Sequence, residues 1–188
     1  MLLLAALVIG LVAGITSGGK LGNAANLAFR WPWLVIAALI VKEATALSSL
    51  SRIEGIQYLY AATLALLVAW TVWHIERVRG VWIVAAGAAL NLIVVLANGA
   101  RMPVAPALAG DLVERGHSGQ YVVMGPATNL SWLADWIAVP AQLGGAYSPG
   151  DVVVALGIAT VAFFATRRLP EPKPAVGETP TRIVIDPP

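Results

Sequence analysis

Few side chains in this 188-residue chain are equipped for chemistry, and their types exclude more than they permit. Cysteine is absent, which excludes disulfides, thiolate metal sites, haem c attachment, iron–sulfur clusters and lipoprotein acylation. The two histidines are His74 and His117, and the topology derived below sets them on opposite faces. A metal would have to combine His117 with carboxylates such as Asp111, Asp135 or Asp151, which show no recognisable ligand spacing. Neither a metal nor a cofactor is therefore expected. No glycine-rich phosphate loop occurs, and no serine nucleophile sits in a known motif. What remains is a set of polar residues within or beside apolar sequence: Lys42, Glu43, Asn91, Asn98, Arg101, Asp135 and Asp151. The formal charge of +2 is small and dispersed, so nucleic acid is not an expected partner.

The chain that must position these residues is 59% hydrophobic and 12% charged, against roughly 45–50% and 25% in soluble domains. That composition predicts a membrane protein. Five segments are apolar enough to be spans: Leu2–Ser17, Trp31–Leu47, Ile56–Trp73, Val81–Ala97 and Val152–Thr166. A helix needs about 17–25 residues to cross a bilayer, so the first and last imply little tilt or local thinning. The first lacks the basic flank of a signal peptide and is read as retained. Five spans put the termini on opposite sides. Lys20, Arg30, Arg77, Arg79, Arg167, Arg168, Lys173 and Arg182 fall on one side, and Arg52, Arg101 and Arg115 on the other. The excess of basic residues marks the cytoplasmic face, giving N-terminus out and C-terminus in. Trp31, Trp33, Trp70, Trp73 and Trp82 also gather at the ends assigned to that face, where an aromatic belt belongs. The expected fold is an all-α polytopic bundle over residues 1–169, followed by an extended or disordered cytoplasmic tail, 170–188, that holds six of the twelve prolines.

Within the apolar segments, Gly10, Gly14 and Gly18 recur at a spacing that lets another helix approach closely, and are read as internal packing. Gly87, Asn91 and Asn98 share one stripe of the fourth span. An amide at that depth needs a partner on a neighbouring helix, so Asn91 is read as structural glue, whereas Asn98, at the outer end beside Gly99, is the better functional candidate. Lys42 and Glu43 lie about 16 Å along the second span and point roughly 100° apart, so each needs a separate partner unless the pair is interfacial.

Residues 99–150 separate the last two spans. A loop of that length should carry structure of its own. Pro106–Arg115 is expected as a short amphipathic helix stopped by Gly116, and Asn129–Ala138 as a second, with Leu130, Trp132, Leu133, Trp136 and Ile137 on its apolar side. The strings Asn98-Gly99-Ala100-Arg101-Met102-Pro103-Val104, His117, Leu133-Ala134-Asp135 and Ser148-Pro149-Gly150-Asp151 resemble the bacterial membrane family catalogued as domain of unknown function 5317. The family pattern usually has a second glycine where this chain has Ala100. The resemblance implies a five-helix membrane protein and no particular activity. A fainter similarity is to lipoprotein signal peptidase, whose last helix opens with a catalytic aspartate followed six residues later by glycine. Asp151 and Gly157 fit that spacing, and Asp135 is then the second carboxylate. Two carboxylates in one site split their pKa values, so that one acts as base while the other stays protonated. The other motifs of that peptidase are absent or badly spaced, and an aspartate opening a helix is also an ordinary cap.

Three functional classes compete. The favoured one is non-enzymatic, because no catalytic motif is complete: an accessory subunit of a membrane complex, with other membrane subunits as partners, or a module binding membrane lipid or another amphiphile through Lys42, Glu43, Asn98, Arg101 and His117. The second is an intramembrane aspartic hydrolase using Asp135 and Asp151. A small transporter comes third, since no repeat or pair of broken helices appears. Arg101 is expected to pair with Asp135, Asp151 or Glu43.

Overall fold

The computed structural model describes residues 1–26, 29–46, 50–110, 112–139 and 145–167. The expected tail, 170–188, lies outside the described residues. The apolar runs are helices: α1 (Leu2–Thr16), α2 (Trp33–Ala46), α3 (Ile56–Trp73), α4 (Val81–Ala97) and, after the outer segment, α6 (Pro149–Ala165). The last begins three residues before the apolar run because Ser148 caps it and Pro149 occupies its first turn, a position where a missing N–H costs nothing. Among the described residues one helix, Ile56–Trp73, is long and apolar enough by itself to cross a membrane; Leu2–Thr16, Val81–Ala97 and Pro149–Ala165 are apolar but shorter.

Neighbouring helices follow the order α1, α6, α4, α3, α2. Helices α1 and α6 run in the same direction: Leu2 N–H donates to the Tyr147 hydroxyl at 3.4 Å, and Lys20 N–H to the Thr166 carbonyl at 2.8 Å. Their contact depends on missing side chains, since a methyl group on Gly10 would strike the Ala159 carbonyl and one on Gly14 would strike Thr166. Gly87 and Gly157 do the same between α4 and α6, against Val154 and Val84. Gly10 and Gly14 are thus internal packing, whereas Gly18, read with them, lies past the end of α1 at φ +89°, where a methyl group would meet nothing within 4 Å. Around the outside, large apolar side chains remain uncovered, among them Ile9, Ile40, Leu96 and Leu156, each at least 60% exposed.

At the end of α3, His74 is fully buried. Its Nε2 accepts the Arg30 N–H at 3.0 Å, so the ring proton sits on Nδ1 and is donated to the Trp70 carbonyl at 2.7 Å. Phe29, Trp70 and Trp73 rings surround it. This histidine joins the start of α2 to α3 and is a packing element.

The segment between α4 and α6 is not all-α, which corrects the expected fold class to mostly helical with short strands. Strand β1 (Met102–Val104) pairs in parallel with β3 (Tyr121–Val123), and β2 (His117–Ser118) pairs antiparallel with β3. A second ladder joins β4 (Ile137–Ala138) to β5 (Ala146–Tyr147). The helix expected over Pro106–Arg115 is broken into a 3-10 turn, Pro106–Leu108, and a single helical turn, α5 (Leu112–Arg115), with Gly110 at φ +50° between them. The helix expected over Asn129–Ala138 reduces to a 3-10 turn, Ser131–Leu133. Beyond it Asp135 bridges to Val104, with Asp135 N–H donating to the Pro103 carbonyl and Ala105 N–H to the Asp135 carbonyl, both at 2.9 Å. Backbone pairing replaces the amphipathic helix here, and it gives the Pro103 carbonyl and the Ala105 N–H, along the edge of the buried strand β1, their hydrogen-bond partners. The core sits at this junction: Tyr60 and Ala61 of α3, Val94 and Val95 of α4, and Ala100, Met102, Leu133 and Ala134 of the outer segment.

Candidate functional site

Asn98 and Asn129 latch the outer segment onto α4. The Asn98 side chain donates to the Asn129 carbonyl and accepts the Asn129 N–H, both at 2.9 Å, while the Asn129 amide donates to the Ala97 carbonyl at 2.9 Å. Asn98, singled out as a functional candidate, thus holds the outer segment to α4. The turn that follows takes φ +66° at Gly99 and +64° at Ala100, the left-handed region that favours glycine. Ala100 carries its methyl group there and is buried in the core. The turn delivers Arg101 to a cavity of about 650 Å³.

That cavity gathers polar residues from four places in the chain. Arg52 lies on the 3-10 turn Leu50–Arg52 before α3, Gln57 in the first turn of α3, Arg101 after α4, and Arg115 and His117 flank the Gly116 turn. A bond from Gly119 N–H to the Ser51 carbonyl, 3.1 Å, ties two of its walls. Glu54 is the one acid among its lining residues. The Arg101 Nε and the Gln57 Oε1 are both buried without a hydrogen-bond partner among the described residues. Glu43, Asp135 and Asp151, the acids expected to pair with Arg101, do not line this cavity. Sequence reasoning placed Arg101 and His117 in the site but missed Arg52, Arg115 and Gln57, whose only signal was membership of the sparse basic side.

A second cavity, about 600 Å³, adjoins the first and shares Arg115 and Ser118 with it. Its walls include Val104, Leu108, Leu112 and Ala146, with Tyr121 and Asp135 among its polar lining residues. Asp135 is buried and its Oδ1 has no hydrogen-bond partner among the described residues. Burial, reinforced by the charge of Asp151 and partly offset by Lys42, pushes its carboxyl up to about 8. Burial also raises the Tyr121 phenol above its ordinary value.

Asp151 has a different setting. Ser148 Oγ accepts the Asp151 N–H at 2.9 Å, and Asp151 Oδ2 accepts the Ser148 N–H at 3.1 Å, a reciprocal capping box. Asp151 Oδ1 accepts from the Asn91 amide at 2.8 Å, and Asn91 Oδ1 in turn accepts the Ser148 hydroxyl at 2.8 Å. The serine is the cap and the aspartate, read from the sequence as an ordinary cap, is its third-position partner. Asn91 is glue between α4 and α6. Lys42 is half-buried and its charge reaches Asp135, whereas Glu43 is exposed and lines neither cavity. Among the described residues no group of histidine and acidic side chains could hold a metal ion.

The chain belongs to the family of unknown function DUF5317, which matches residues 26–163 and so takes in both cavities while leaving α1 outside. No curated protein and no solved structure matches it.

Proposed function

We propose that this member of the family is a five-span integral membrane protein of the bacterial cytoplasmic membrane, N-terminus out and C-terminus in, whose outer segment binds an amphiphile without chemically altering it. The uncovered apolar side chains around the helices support the membrane reading, because a soluble monomer rarely exposes so much contiguous apolar surface. Leu2–Thr16 and Trp33–Ala46 are short for spans, and local thinning of the bilayer accommodates them. One observation carries the binding reading: a basic cavity and a more apolar one meet at Arg115 and Ser118, the division of character that a headgroup and the start of a chain require.

The test is to purify the full chain in mild detergent and identify what accompanies it by native mass spectrometry. A lipid or other amphiphile bound in stoichiometric amount is expected. A lipid-free chain accompanied by a stoichiometric protein subunit would overturn the reading in favour of an accessory subunit.

The raised Asp135 carboxyl beside the charge of Asp151 favours a second reading, an intramembrane aspartic hydrolase. Against it, Asp151 accepts one hydrogen bond on each oxygen, from Asn91 and from the Ser148 N–H, and this capping and helix-joining role accounts for its placement without any catalytic one. A cleaved membrane substrate that accumulates uncleaved in both Asp135→Asn and Asp151→Asn cells would favour the hydrolase.

A further inference from the structure

We infer that the basic cavity is a phosphate-group site and that its ligand also carries a hydrogen-bond donor next to the phosphate, as a hydroxylated headgroup does. This rests on the amphiphile-binding reading and names the chemistry at its polar end. Three guanidinium groups face the cavity against the single carboxylate of Glu54, so it is net positive at neutral pH without any contribution from His117. Guanidinium forks match phosphate oxygens in pairs and are the side chains suited to desolvated anion recognition. Arg101 has its Nε buried with no acceptor among the described residues, a donor placed where an anion in the cavity would satisfy it. An anion supplies the missing acceptor.

Gln57 adds the second requirement. It is 6% exposed, it lines the same cavity, and its Oε1 is an acceptor lacking a donor among the described residues. A fully ionised phosphate offers acceptors only, so it would leave that oxygen unsatisfied. A ligand bearing O–H or N–H beside its phosphate satisfies Arg101 and Gln57 together. Among common lipids this distinguishes phosphatidylglycerol, with two headgroup hydroxyls, from phosphatidylcholine, which has no headgroup donor.

The experiment titrates the full chain, in detergent micelles, with short-chain phosphatidylglycerol, short-chain phosphatidylcholine and inorganic phosphate, following affinity by calorimetry. Phosphatidylglycerol is expected to bind at least about tenfold more tightly than phosphatidylcholine, and Arg101→Gln to weaken it by about tenfold or more. Gln57→Leu is expected to reduce the preference between the two lipids. Arg52→Gln, at an exposed position, gives a folded variant should Arg101→Gln fail to fold, and is expected to weaken phosphatidylglycerol selectively. Equal binding of the two lipids, unchanged by Arg101→Gln and Arg52→Gln, overturns this inference and leaves amphiphile binding standing. Binding of inorganic phosphate alone, lost in Arg52→Gln, supports a phosphate site while overturning the amphiphile reading. No binding of any of the three overturns both.

Discussion

At Asp135, burial and the charge of Asp151 act in the same direction, and the protonated carboxyl persists to about pH 8. An unfolded aspartate releases its proton near its ordinary value of 3.8. Between those two points the folded chain binds a proton that the unfolded chain does not, so stability should fall as pH rises through that window, by at most about 1.4 kcal/mol per pH unit, and level off above it. In Asp135→Asn the fall should flatten, as measured by thermal unfolding in detergent from pH 4 to 9. Equal slopes in the two proteins would show that the raised carboxyl is not the source. Asp151 poses a different question, because its two oxygens serve two donors. In Asp151→Asn the new amide can keep only one of the Asn91 and Ser148 bonds, with an expected loss of about 1–3 kcal/mol. The exchange Asn91→Asp/Asp151→Asn puts donor and acceptor back in reversed order and should recover part of that loss. A double-mutant cycle with no coupling between the two positions would refute the bond.

Among the elements, α6 is the one whose neighbours are most constrained, because α1 and α4 both approach its backbone through glycine. Gly157→Ala would drive a methyl group into the Val84 backbone, an overpacking expected to cost about 1–3 kcal/mol. Gly22→Ala meets nothing within 4 Å and should leave the unfolding temperature nearly unchanged. Comparable effects from the two would argue against close helix contact. The boundaries of α3 and α4 coincide with the apolar runs Ile56–Trp73 and Val81–Ala97, since a long apolar segment flanked by polar turns has few alternatives to helix. The outer segment was far less legible. Trp132 and Trp136 read as part of a helical stripe, yet both are exposed, and Trp136 Nε1 donates to the Trp132 carbonyl within a non-helical turn.

For the molecule as a whole, the proposed orientation puts the two cavities and α5 on the outer face and the α3–α4 turn on the inner one. The cysteine-free chain allows this to be read directly. Val113→Cys and Glu76→Cys both alter exposed positions, and in intact cells an impermeant thiol reagent should label position 113 and spare position 76. The reverse pattern would invert the protein in the membrane and move the basic cavity to the cytoplasmic side.

The amino-acid order alone determined the five long helices, the internal use of Gly10 and Gly14, the family, and the concentration of chemistry between α4 and α6. Each of these rests on composition, periodicity or a contiguous string. Tertiary structure decided the rest. The Asn91–Ser148–Asp151 network joins residues about sixty positions apart, and the basic cavity assembles Arg52, Gln57, Arg101 and Arg115 from segments that share no local pattern. Strands of two or three residues carry too little alternation to announce themselves, and only β1 is fully buried, where its peptide groups need partners that β3 and Asp135 supply.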